Sequence, residues 1–185
     1  MKITPLSIEG AWLAELPLYN DNRGSFREWF KHTEILEKTG FNFFVSQANI
    51  SISSSGVVRG IHYSLNPVGQ AKWVTCLRGA ILDVVVDIRP TSPTFRRVEH
   101  IKLCAREGRA VLIGSGLGHG FTAIEDDSVV SYLLSSPFSP RDEYGINPFD
   151  EDLAIQWKTS SPIISSKDQS APSLQSLNKE GLLPK

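Results

Sequence analysis

FVSQANISIS, residues 44–53, sets Phe44, Ser46, Ala48, Ile50 and Ile52 on one face of an extended chain and Val45, Gln47, Asn49, Ser51 and Ser53 on the other. That period of two predicts a strand with one distinctly polar face. In an open antiparallel sheet such a face meets solvent. In a small closed barrel it lines a ligand cavity. The neighbouring stretches read the same way. GVVRGIHYSL (56–65), KWVTCL (72–77), AILDVVVDI (80–88), AVLIGS (110–115) and SVVSYLLS (128–135) are further predicted strands. Arg78-Gly79 suggests a hairpin between the second and third of these, while GLGHGF (116–121) and EDDS (125–128) read as loop and turn. Many short strands punctuated by Gly, Pro and Asp indicate an all-β barrel or sandwich.

Helix is scarce. TEILEKTG (33–40) predicts one, with Thr33 as N-cap and Gly40 just past its end. SLQSLNKEG (173–181) predicts a second. The Ser- and Pro-rich KTSSPIISSKDQSAP (158–172) reads either as a mobile tail or as a segment laid across the barrel mouth. No internal repeat or second domain is evident, and 185 residues suffice for one core without disulfides.

Composition narrows the function. With 41% hydrophobic and 21% charged residues and a net charge of −1, the chain has no footprint for nucleic acid or an anionic membrane. An anionic ligand would have to be held by a few local cations. The opening MKITPLSIEGAWL lacks the apolar run of a signal peptide, and no stretch approaches the roughly 20 apolar residues that span a bilayer. Cys76 and Cys104 are far apart in sequence and read as separate thiols, so a cytoplasmic protein is expected.

The chemistry-bearing residues are few. Arg59 and His62 stand among hydrophobic neighbours where a sheet built for stability would carry Val or Ile. Three residues apart, they have opposite parity on a regular strand, so both can face one cavity only if Gly60 breaks it. Lys72 is either an edge residue or a cation aimed into a pocket, and Tyr132 is a core residue or a proton donor. Neither His62 nor His119 lies in a histidine cluster, so no metal is expected. Phosphate-loop, dinucleotide and serine-hydrolase signatures are absent. What remains suits proton transfer beside a carbonyl: a histidine base, a cation for the enolate oxygen, and an acid on the other face. Asp168, Asp83 and Asp87 are candidates to orient the histidine.

DNRGSFREWF, VSQANISISSSGVVRGIHYSL, QAKWVTCLRGAILDVVVDIRPTSPTF, GLGHGF and SYLLSSPFSPRDEYGINPFDEDLAIQW resemble successive blocks of the dTDP-4-dehydrorhamnose 3,5-epimerases, and ISSKDQSAPSL resembles their last block. The resemblance implies a cupin-type jelly-roll barrel with a few short peripheral helices, a homodimer, and neither metal nor cofactor. Its implied substrate is a dTDP-linked 4-keto-6-deoxy sugar, inverted at C3 and C5. By motif, His62 is the proton acceptor, Asp168 its partner, Lys72 the enolate-stabilising cation and Tyr132 the proton donor. Arg23, Glu28, Gln47, Asn49, Arg59, His119, Glu143 and Lys167 resemble sugar-nucleotide ligands, and Phe26 resembles a residue reaching the neighbouring subunit's site. Phe138 stands where many members have a thymine-stacking tyrosine; it keeps the ring and loses the hydroxyl. The last block makes residues 158–185 a C-terminal segment closing over the site. Relatives that epimerise one carbon, related 3,4-ketoisomerases and a silent sugar-binding barrel are the alternatives.

Overall fold

The computed structural model describes residues 1–185. Thirteen strands and three short helices follow in order: β1 (Lys2–Pro5), β2 (Ala11–Glu15), β3 (Tyr19–Asp21), β4 (Gly24–Phe26), α1 (His32–Thr39), β5 (Gln47–Ser53), β6 (Val58–Ser64), β7 (Lys72–Arg78) and β8 (Ala80–Asp87). Then come β9 (Val98–Cys104), β10 (Arg109–Ile113), β11 (Leu117–Ala123), β12 (Ser128–Leu134), β13 (Glu143–Gly145), α2 (Ser166–Gln169) and α3 (Leu174–Lys179). One sheet has the order β1-β2-β10-β7-β12-β5, the other β13-β6-β11-β8-β9, and β3-β4 forms a separate hairpin. All pairings between the strands are antiparallel. Two antiparallel sheets facing one another make this a cupin-type jelly roll.

Alternation along each strand creates three apolar layers. Between the sheets lie Val74, Cys76, Ile81, Val85, Val111, Phe121 and Val130. Outside the six-stranded sheet, Trp73, Leu112 and Leu133 are covered by Ile35 of α1 and by Phe43. Outside the five-stranded sheet, Val84, Val86 and Tyr63 are covered by the C-terminal run, through Leu153, Trp157, Leu174 and Leu177. No helix is long and apolar enough to cross a membrane. Both cysteines are free thiols.

Three local expectations are corrected. β7 and β8 do not form a hairpin: they belong to different sheets, and Gly79, at φ 73°, carries the chain from one to the other. GLGHGF is not a loop; it contributes to β11, every residue of which is buried. The residue preceding α1 is Lys31, without a side-chain cap, and Thr33 already lies inside the helix. The polar face of β5 turns inward, and its apolar face is the one left open, with Ile50 67% and Ile52 63% exposed.

Candidate active site

β6 positions the first two functional side chains by breaking its own regularity. His62 pairs with His119 of β11, but Arg59 pairs with Phe121, so three steps on β6 oppose two on β11. The extra residue is a bulge. Val58, Ile61 and Tyr63 pack outward while Arg59 and His62 both reach the interior. Gly60 has φ 127°, and a Cβ there would lie 2.5 Å from Gly120 Cα and 2.9 Å from the His119 carbonyl oxygen. Only glycine fits.

Inside, a cavity of about 460 Å³ is lined by Arg59, His62, Lys72, His119, Tyr132, Lys167 and Asp168 together with Ser51, Val57, Val58, Phe121 and residues 163–165. A recess of about 170 Å³ opens on His62, Lys72, Tyr132 and Lys167 and adds Asn49, Gln70, Phe138, Glu143 and Tyr144. Gln47 borders it, donating to Asn49 Oδ1 at 2.9 Å and accepting from the Phe138 N–H at 2.8 Å.

His62 Nε2 lies 2.7 Å from Asp168 Oδ1. A carboxylate only accepts, so Nε2 carries the proton and Nδ1 of the neutral ring keeps its lone pair. Burial opposes ionisation of Asp168, yet the His62 hydrogen bond and charge, helped by Ser165 and the Gly60 backbone, hold its carboxyl below the usual range. Asp83 serves His119 instead, with Oδ2 2.8 Å from Nε2. Asp87 is outside the pocket altogether. It accepts from Arg89, Ser92 and Thr94 in the β8–β9 turn, and although burial opposes ionisation those bonds hold it at about 2.

Lys72 is a pocket cation and not an edge residue, 8% exposed, with one weak bond from Nζ to the His62 carbonyl at 3.4 Å. Burial pushes its ammonium below the ordinary lysine range, and the Glu143 and Asp83 carboxylates oppose that shift. Burial pushes the Tyr132 phenol up, partly offset by Arg59.

Arg23, Phe26 and Glu28 are not brought to this pocket. Arg23 pairs with Asp21 on the exposed hairpin, Phe26 is 64% exposed, and Glu28 is exposed nearby. Reading the sequence missed Gln70, which donates to Glu143 at 2.9 Å, and Ser165, whose hydroxyl caps α2 by accepting from the Asp168 N–H. For Ser165 a signal existed. Ser-Ser-Lys-Asp spaces a hydroxyl and a carboxylate as a helix start does. No three His, Cys, Asp or Glu side chains converge as metal ligands.

A histidine on one sheet, paired with a carboxylate from α2 and facing a phenol and a buried ammonium on the other sheet, is equipment for moving protons within a cupin-class isomerase. Residues 5–176 match the dTDP-4-dehydrorhamnose 3,5-epimerase family. The dTDP-4-dehydro-6-deoxyglucose 3-epimerase of Streptomyces bikiniensis is 45% identical over 181 residues, 97% of this chain and 92% of the relative. The dTDP-4-dehydrorhamnose 3,5-epimerase of Mycolicibacterium smegmatis is 44% identical over 185 residues, 100% of this chain and 91% of the relative. The crystal structure of a 3′-monoepimerase from Streptomyces bikiniensis in complex with dTDP-quinovose matches with a TM-score of 0.94 at 44% identity, covering 98% of this chain and 92% of that one. The chain belongs to the dTDP-4-dehydrorhamnose 3,5-epimerase family. It is a dTDP-4-keto-6-deoxy sugar epimerase, an isomerase of deoxysugar biosynthesis.

Proposed function

We propose that this enzyme inverts both C3 and C5 of a dTDP-4-keto-6-deoxy sugar. The observation that carries the reading is the opposition of base and acid: His62 stands on the five-stranded sheet and Tyr132 on the six-stranded sheet, across one cavity. His62 Nδ1 takes the proton from a carbon next to the ketone, and the bonding pair moves into the C4 oxygen as an enolate. Lys72 stabilises that oxygen. Tyr132 delivers a proton to the opposite face of the carbon, so the centre inverts. Asp168 supports the imidazolium, and exchange with solvent restores both groups. A second cycle treats the other flanking carbon.

Arg59 and Lys167 supply local cations for the diphosphate. The Phe138 ring offers a stacking face for thymine beside Asn49 and Gln47, while Glu143 and His119 complete the polar lining. Residues 158–185 close the site: Ile163 bridges to Val57 beside the cavity, and α2 delivers Lys167 and Asp168 to it. The active form is a homodimer in which Arg23, Phe26 and Glu28 complete the pocket of the second copy. Their distance from their own pocket supports this, as do the exposed side chains of Phe26, Phe44, Ile50 and Ile52.

The 45% identity to a 3-epimerase favours, as the second reading, inversion at C3 alone. Incubation with dTDP-4-keto-6-deoxyglucose in D2O separates the two. Deuterium at both C3 and C5, read by NMR and mass spectrometry, is expected. Label at C3 alone would replace double by single epimerisation, and no label would sink the mechanism.

A further inference from the structure

The pocket holds a second histidine–carboxylate pair that the proton transfers above leave unused. His119 and His62 are directly opposed on β11 and β6, so their imidazoles leave the sheet on the same face. Behind His119 stands Asp83, wholly buried, between Ile81 and Val85 on the inward face of β8. Its Oδ2 is 2.8 Å from His119 Nε2, and its Oδ1 has no hydrogen-bond partner. A sheet selected only for stability would carry an aliphatic side chain there, because desolvating a carboxylate outweighs one hydrogen bond. The isolated acid among Val and Ile therefore answers to His119, which lines the pocket.

Its geometry dictates the protonation of its partner. As an acceptor, Asp83 commits the His119 proton to Nε2, leaving Nδ1 as the nitrogen free for a ligand in the cavity that His119 lines.

We propose that Asp83 is a positioning residue for the epimerisation, fixing His119 in the Nε2–H tautomer with Nδ1 presented to the sugar nucleotide. The kinetic half of this inference rests on the epimerase reading of the pocket; the tautomer half does not.

The test is Asp83→Leu, which removes acceptor and charge while matching the aliphatic neighbours. ¹⁵N-histidine NMR of the ligand-free protein should show His119 protonated on Nε2 in the wild type and a redistributed proton in the variant. Deuterium exchange should lose roughly 10²-fold in kcat, the scale of a misplaced reacting group. Should the leucine variant fail to fold, Asp83→Ala is read the same way, since it removes the acceptor and the charge without adding bulk. A His119 tautomer that does not respond to Asp83→Leu, or wild-type kcat in whichever variant folds, would overturn the proposal. A lower melting temperature with both readouts unchanged would leave Asp83 a purely structural group, which also overturns it. Absence of exchange in the wild type itself would instead count against the epimerase reading, and the NMR result would still decide the His119–Asp83 pairing.

Discussion

Gly60→Ala should damage stability and catalysis together, because the same residue permits the bulge and sets the register of His62 against Arg59. The added methyl would sit 2.5 Å from Gly120 Cα, 2.9 Å from the His119 carbonyl oxygen and 3.3 Å from Gly120 N. All three are backbone atoms of β11, so no side chain can swing aside. Reaching an ordinary contact of 3.4 Å needs about 0.9 Å of separation between paired strands. Holding an L-residue at φ 127° costs about 1–3 kcal/mol, and forcing atoms into a packed interior about 1–3 more. The sum centres near 4 kcal/mol. At roughly 2–4 °C per kcal/mol for a domain of this size, the melting temperature should fall by about 8–16 °C. A strand shift approaching 1 Å at His62 should also lower kcat for deuterium exchange by roughly 10²-fold.

Gly145→Ala is the matched control. Gly145 pairs with His62 from β13, its φ is not positive, and its added Cβ would meet nothing closer than 3.5 Å. A surface-like change of about 0.5 kcal/mol or less is expected there, roughly 2 °C. Calorimetric melts and exchange kinetics on the two variants decide the matter. If Gly60→Ala melted like Gly145→Ala and exchanged deuterium at the wild-type rate, the bulge would not be what brings Arg59 and His62 to one face.

Tyr132→Phe should keep the fold and lower turnover by about 10²–10⁴-fold, the usual worth of a positioned general acid. Burial holds the Tyr132 phenol above its ordinary range and pushes Lys72 below its own, so alkaline loss of activity should come from Lys72 and persist in the phenylalanine variant. A limb that vanished with the hydroxyl would reassign it to Tyr132. Mixing inactive His62→Ala with Phe26→Ala/Arg23→Ala should recover activity well above the sum of the two alone, since a mixed dimer restores one complete site. No recovery after verified subunit exchange would return the hairpin residues to a role outside catalysis.

Much of the site was legible because its chemistry violates the pattern that burial alone would write. Gln47, Asn49 and Ser51 on an alternating strand, and Arg59 and His62 on a hydrophobic one, stand out whichever sheet they join. The opposite parity of Arg59 and His62 even located the bulge. What a sheet's neighbours decide was not legible. Arg78-Gly79 looks the same whether the chain turns back in a hairpin or crosses to the facing sheet, since both need a residue at positive φ. The glycines of β11 read as a loop because their reason is another strand: a Cβ at Gly118 would lie 2.6 Å from Ile61 Cγ2, and one at Gly120 2.7 Å from the Arg59 carbonyl oxygen. They mark close approach, not a turn. The carboxylate partners were open for the same reason. Asp168 reaches His62 across 106 positions of sequence, and only the packed C-terminal run brings it there.

The inversion of β5 joins these threads. An edge strand with its polar face inward gives up part of the interior to a ligand, and the loss is confined to one end of the barrel. Along β7 the inward positions pass from Lys72 to Val74 and Cys76, and along β12 from Tyr132 to Val130, so the apolar end holds the sheets together while the polar end stays open. The same alternation throws Ile50 and Ile52 outward on a strand with an unpaired edge. Such an edge invites association, and Arg23, Phe26 and Glu28, all exposed and outside the pocket of their own chain, are what the proposed dimer would bring to a second copy. One residue period therefore serves two ends: Gln47, Asn49, Ser51 and Ser53 line or brace the cavity, and Ile50 and Ile52 between them form the outward apolar face that the proposed dimer would use.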